Sequence, residues 1–261
     1  MKTTLLVAFF AVWTMCLRAE IKTETIEYKE GDTVLEGFVA YDTAVSGRRP
    51  AVLVAHQWKG LGAYEKKRAE MLAQMGYLAF AVDIYGKGIR TTDRAEAGKL
   101  AGTYKSDRAL LRRRVQAGLD ALKKQKLADS ERIAAIGYCF GGTTVLELAR
   151  SGADVDGIVS FHGGLSSPQP EDAAKIRGKV LALHGADDPF VPAPEVAAFE
   201  EEMRHAKVDW QLVAYGNSVH SFTDRGAGTD NSTGSAYNEK ADQRSWAAMQ
   251  AFFGELWPAR K

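Results

Sequence analysis

Short runs of unbroken apolar residues recur along the chain, and they constrain its fold more than any other feature. "RPAVLVAHQW", "YLAFAVDIYG", "RIAAIGYCFGG", "VDGIVSFHGG" and "GKVLALHGADDP" each carry such a run, and "VDWQLVAYG" adds a sixth strand. A strand with one wet face alternates polar and apolar residues, whereas an unbroken run must be covered on both faces. The segments between them have helical character. A helix is expected over residues 63–75, ended by Gly76. "DRALLRRRVQAGLDALKKQ" repeats leucine at helical spacing, with Ser106 as its expected cap. "TTVLELARSG", "PAPEVAAFEEEMRHA" and "DQRSWAAMQAFFGELW" complete the helical set. "TETIEYKEGDTVLEGFVAYD" alternates around Gly31-Asp32, as two antiparallel strands would. Together these predict an α/β fold, a mainly parallel central sheet with helices on both faces. With no repeat and no linker, residues 20–261 read as one domain, and "DRGAGTDNSTGSAYNEKAD" as its long loop.

Residues 1–19 differ from the rest. Lys2 precedes an apolar run from Leu5 to about Leu17, and Leu17-Arg18-Ala19 closes it. This is the pattern of a secretory signal peptide cleaved after Ala19, which predicts an exported protein, periplasmic or secreted. The run is too short to span a bilayer. Cleavage there would lower Lys plus Arg from 34 to 32 against 33 acidic residues, a net charge near −1. So small a charge argues against nucleic acid or a membrane surface as a partner. Of the 2 cysteines, Cys16 would leave with the leader, so Cys139 would remain as an unpaired thiol.

That thiol lies in Gly137-Tyr138-Cys139-Phe140-Gly141, between an apolar strand and a helix. The pattern is G-x-nucleophile-x-G, a sharp strand-to-helix turn whose glycines let two backbones pass closely. A thiol at a helix N-terminus gains thiolate character from the helix dipole. An acid and a base should follow the nucleophile in that order. "LHGADDPFVP" ends a strand at an acidic pair, and "YGNSVHSF" places His220 after the next strand. His220 would take the thiol proton, with an aspartate to orient the ring.

The segments "GYCFGG", "GADDPFVP", "VHSF" and "FAVDIYG" resemble the dienelactone hydrolase (carboxymethylenebutenolidase) family of α/β-hydrolases. The resemblance implies an α/β-hydrolase fold and Cys139 as nucleophile, His220 as base and Asp188 as acid. It places the oxyanion hole on the backbone amides of Phe140 and Trp58. The implied reaction is hydrolysis of a small lactone or carboxylic ester through an acyl-thioester, with no cofactor. The histidines show no metal-ligand spacing. His162 and His184, each at a strand end before a glycine, are expected to bond nearby backbone.

The chain departs from the family at two places. Gln57 stands where the family has a glutamate that holds the thiol proton. The family's two carboxylate-binding arginines fall at Lys87, with Arg90 three residues on, and at Asp224, beside Arg225. Gln57, Lys87, Arg90 and Arg225 are therefore the candidate substrate contacts. Lysine is a point charge and lacks the arginine fork, so another acyl or acetyl ester fits the sequence as well as the dienelactone does. These departures also motivate an alternative: a ligand-binding or thiol redox-sensing protein on a hydrolase scaffold.

Overall fold

The computed structural model describes residues 20–258. The expected leader, residues 1–19, lies outside the described residues. Eight strands form one sheet in the order β1-β2-β4-β3-β5-β6-β7-β8. β1 (Ile21–Glu30) and β2 (Thr33–Asp42) form the expected hairpin, turning at Gly31 with φ +55°. β2 then runs antiparallel to β4 (Leu78–Val82). All other pairings are parallel: β4 with β3 (Arg49–Ala55), then β5 (Ala128–Tyr138), β6 (Gly157–Phe161), β7 (Lys179–Gly185) and β8 (Trp210–Tyr215). The outermost strand β1 is largely exposed and carries Lys22, Glu24, Glu27 and Lys29. Charge on an edge strand discourages pairing with another chain.

Alternate residues of the central strands feed two cores, as the period of two requires. Leu53, Phe80, Ile133 and Val180 pack with α3 (Arg108–Lys123), α4 (Phe140–Arg150) and α5 (Ala193–His205). Val52, Val54, Ile136 and Leu181 pack with α1 (Ala63–Gln74) and α6 (Glu239–Leu256) on the other face. Helices on both faces thus account for the unbroken apolar runs.

One expectation changes in detail. Ser106 does not cap the long helix; it ends a separate helix, α2 (Arg94–Ser106). The cap of α3 is Asp107, whose carboxylate accepts from Leu110 N–H at 2.9 Å. Both residue types cap well, and the extra helix decides between them. No helix among the described residues is long and apolar enough to cross a membrane.

Candidate active site

The loops leaving the C-terminal ends of β3, β5, β6, β7 and β8 converge at one edge of the sheet. In open α/β sheets that edge is where ligands bind. β5 turns into α4 at Cys139, whose φ is +55° and ψ −116°. A residue without glycine's freedom holds such a conformation only where its surroundings enforce it. Here close packing does so. A Cβ on Gly137 would collide with the Gly141 carbonyl, and one on Gly141 with the Ala55 carbonyl at the end of β3. The turn therefore needs both glycines, and it presents the half-buried Cys139 side chain at the N-terminus of α4.

β7 ends at Gly185, and the turn after it points Asp188 inward. Asp188 is buried; one carboxylate oxygen accepts from Phe190 N–H at 2.9 Å, the other from His220 Nδ1 at 2.8 Å. The neighbouring Asp187 is exposed. His220 sits in the loop after β8, held by its own N–H to the Gly234 carbonyl at 3.1 Å and by Ala236 N–H to its carbonyl at 3.0 Å. Its ring interacts electrostatically with the Cys139 thiol. Nδ1 bonds the aspartate, so Nε2 is the nitrogen left for the thiol.

The electrostatics follow from this contact. Burial pulls the His220 imidazolium down, but the Cys139 sulfur and the Asp188 carboxylate outweigh it and hold the ring up to about 10. Burial likewise pushes the Cys139 thiol up, and the facing His220 outweighs it, leaving the thiol below its ordinary value. Each group thus favours the charged form of the other.

The loop after β3 carries the expected second oxyanion donor, Trp58. Glu65, a buried carboxylate on α1, fixes this loop: Oε1 accepts from Gln57 N–H at 3.0 Å and Oε2 from Gly62 N–H at 2.9 Å. Sequence reasoning missed Glu65, although a glutamate three residues after a helix cap is a readable signal. His56 is fully buried; Nδ1 lies 2.6 Å from the Gln57 carbonyl, and Nε2 accepts from Ile84 N–H at 3.2 Å. Those two bonds define a neutral loop brace, and burial pushes the ring further below its ordinary value. Phe140, first residue of α4, is buried beside Tyr85 and Tyr104. Its amide follows the nucleophile directly.

The remaining candidates divide. Gln57 and Arg90 line a cavity of about 700 Å3 with Trp58, Ser221 and Asp224; Ser221 adjoins His220 in sequence, and Cys139, Asp188 and His220 themselves do not line it. Gln57 Nε2 donates to Asp224 Oδ2 at 3.1 Å. Lys87 and Arg225 do not line it. Lys87 pairs with Glu27 on the exposed edge strand. Arg225 lies over the Tyr237 ring at 4.8 Å and reaches Glu239 at 3.7 Å. Each has found an opposite charge outside the cavity, so of the four candidate substrate contacts only Gln57 and Arg90 line it. His162 does bond backbone, accepting from Cys139 N–H at 3.1 Å. His184 does not as expected: its Nδ1 is buried with no hydrogen-bond partner among the described residues.

A mainly parallel sheet with a strained turn after β5, and a paired aspartate and histidine in the loops after β7 and β8, is the arrangement of the α/β-hydrolase fold. The model of the dienelactone hydrolase family matches residues 35–257, and the chain belongs to that family. It is a hydrolase of the kind that acts on lactone and ester bonds. Among solved structures, a dienelactone hydrolase-like promiscuous phosphotriesterase from metagenomic libraries is 44% identical, with a TM-score of 0.87 over 90% of this chain and 98% of that one. An uncharacterized Caenorhabditis elegans protein, K02A2.1, is 34% identical over 56% of this chain and 94% of its own length. A Synechocystis protein provisionally named carboxymethylenebutenolidase is 25% identical over 91% of this chain and 98% of its own.

Proposed function

We propose that this hydrolase uses Cys139 as its nucleophile and passes through an acyl-thioester. The observation that carries the reading is the Cys139–His220–Asp188 constellation, with Nδ1 of His220 2.8 Å from the aspartate and its other side toward the sulfur. The thiolate attacks the carbonyl carbon, a C–S bond forms, and the carbonyl electrons move to oxygen. The Phe140 and Trp58 amides receive that oxyanion. His220 gives its proton to the departing alkoxide as the C–O bond breaks. In a lactone the alkoxide stays attached to the acyl group. The imidazole, now neutral, takes a proton from water, and the hydroxide displaces the thiolate to release the acid. Asp188 holds the ring in orientation throughout.

The substrate side of the reading rests on the cavity. With Lys87 and Arg225 turned to other partners, Arg90 is the one expected basic contact that lines it, and Arg90 already faces Glu36 at 3.4 Å. A neutral lactone or ester of small to moderate size is the proposed substrate. The cavity of about 700 Å3 exceeds what a small lactone fills. That favours a second reading, in which a bulkier neutral ester, including a phosphotriester like that named for the metagenomic relative, is also turned over. The test is a panel of lactones, aryl and alkyl esters and one aryl phosphotriester, given to the purified protein and to Cys139→Ala. Cysteine-dependent turnover of a carboxylic ester or lactone is expected; equal turnover by folded Cys139→Ala would contradict the mechanism. Export, proposed from residues 1–19 alone, predicts a mature N-terminus at Glu20 by N-terminal sequencing.

A further inference from the structure

The backbone amide of the nucleophile has two acceptors. Cys139 N–H lies 3.0 Å from the Phe161 carbonyl and 3.1 Å from His162 Nδ1. His162 directly follows β6, is fully buried, and has φ +40°. Its surroundings hold it there. Its N–H donates to the Leu183 carbonyl at 2.8 Å. Its ring meets Phe222 at 5.0 Å and His220 at 5.3 Å, both edge to face. The next residue, Gly163, lies so close to Gly142 of α4 that neither has room for a Cβ.

The hydrogen bonds fix the tautomer. A backbone N–H only donates, so Nδ1 must be the acceptor, and the single proton of a neutral ring sits on Nε2. Nε2 lies 2.7 Å from Thr223 Oγ1 and donates to it. Burial, with His220 and Arg68 adding to it, holds the ring well below the ordinary histidine range, so it stays neutral. Thr223 is three residues past His220 on the same loop. It is anchored from the far side by α1: Oγ1 lies 2.6 Å from the Tyr64 hydroxyl, and its carbonyl accepts from Arg68 at 2.9 Å. Arg68 is itself fixed by Asp242 at 2.6 Å and by the rings of Tyr64, Tyr138 and Trp246.

We propose that His162 is a positioning residue for catalysis: it ties the backbone amide of Cys139 to the Thr223 hydroxyl, and so sets the spacing between the nucleophile and the loop that carries His220. The inference rests on the thiolate–imidazolium reading above. The attraction within that pair varies with distance, and a misplacement of about 1 Å in a reacting group costs on the order of 100-fold in rate. One bridge that fixes both partners therefore has a catalytic consequence beyond its share of stability.

His162 is packed too tightly for its own replacement to be a clean test, so the hydroxyl at the other end is removed instead. Thr223→Val keeps the volume and loses the hydroxyl; Thr223→Ser keeps the hydroxyl. Three quantities are read on each full-length variant: kcat and KM with the best ester of the panel, the pH profile of Cys139 alkylation, and the thermal midpoint. Thr223→Val is expected to lower kcat about tenfold with KM changed less than about twofold, and to move the alkylation midpoint up toward the ordinary thiol value. Thr223→Ser is expected to restore both. A Thr223→Val variant with a lower thermal midpoint but wild-type kcat and alkylation profile would show a merely structural bond and overturn the proposal. A wild-type thiol that titrates as an ordinary cysteine would contradict the ion-pair reading instead, and the kcat loss with its serine rescue would still decide whether the bridge positions the site.

Discussion

Cys139 and His220 are both partly buried, and each favours the charged form of the other. Burial alone would neutralise both, since it disfavours the charged form of either group. Together they hold the thiol below its ordinary value and the imidazolium up to about 10. The signs give the pH profile. As pH rises through about 10, His220 loses the proton it must give to the leaving group, so kcat/KM falls there. On the acid side kcat/KM falls only below the ordinary thiol range, where the thiolate is finally protonated. A pH–rate profile on a single ester measures both limbs. Asp188→Asn, which removes the carboxylate that supports the His220 imidazolium, is expected to lower that group's pKa and to reduce kcat by about tenfold or more, read in the same assay. The order Cys139, Asp188, His220 along the chain is itself a signal, and the proposed triad was drawn from it. His162 and Thr223 were not read as site residues, because their contacts join segments far apart in sequence, whereas Glu65 carried a local capping signal that was passed over. Lys87 and Arg225 were assigned from position alone, and position does not show where a long flexible side chain finds its counter-charge.

At the scale of elements, the turn from β5 to α4 depends on atoms that are missing. A methyl at Gly137 would have to displace the first turn of α4 away from the nucleophile. Gly137→Ala is therefore expected to cost about 3 kcal/mol or more in stability, measured by chemical denaturation, with activity lost in parallel. α4 is held at its other end by a buried ion cluster. Arg150 bonds Glu202 of α5 at 2.7 Å and Glu147 at 3.2 Å, and none of the three side chains is more than marginally exposed. Arg150→Met leaves two buried carboxylates with less compensation and is expected to cost about 3–5 kcal/mol, with the triad chemistry intact in the remaining folded protein. The strands and five of the six α-helices among the described residues were readable from period and caps. α2 was not, because it buries only Ala97, Ala101 and Tyr104 and so leaves a faint helical stripe. Its absence from the sequence reading is what moved the cap of α3 from Asp107 to Ser106.

Across the whole molecule, two cores clamp one sheet, and its C-terminal edge collects five loops. The sheet's apolar runs announced this architecture, since no other arrangement covers both faces of so many strands. The same arrangement puts Lys87 beside the exposed hairpin, paired with Glu27. Lys87→Ala is accordingly expected to leave kcat/KM within about twofold for neutral esters and for carboxylate-bearing ones, as surface pairs contribute little. A loss confined to the carboxylate-bearing esters would return Lys87 to the substrate site. The proposed mechanism turns on Cys139 held as a thiolate against His220. The rate of Cys139 alkylation against pH, in the wild type and in His220→Ala, measures this. The wild-type rate is expected to titrate below the ordinary thiol range, and His220→Ala to move the titration up into it. A wild-type rate that climbs steadily to that range, unchanged by His220→Ala, would contradict it.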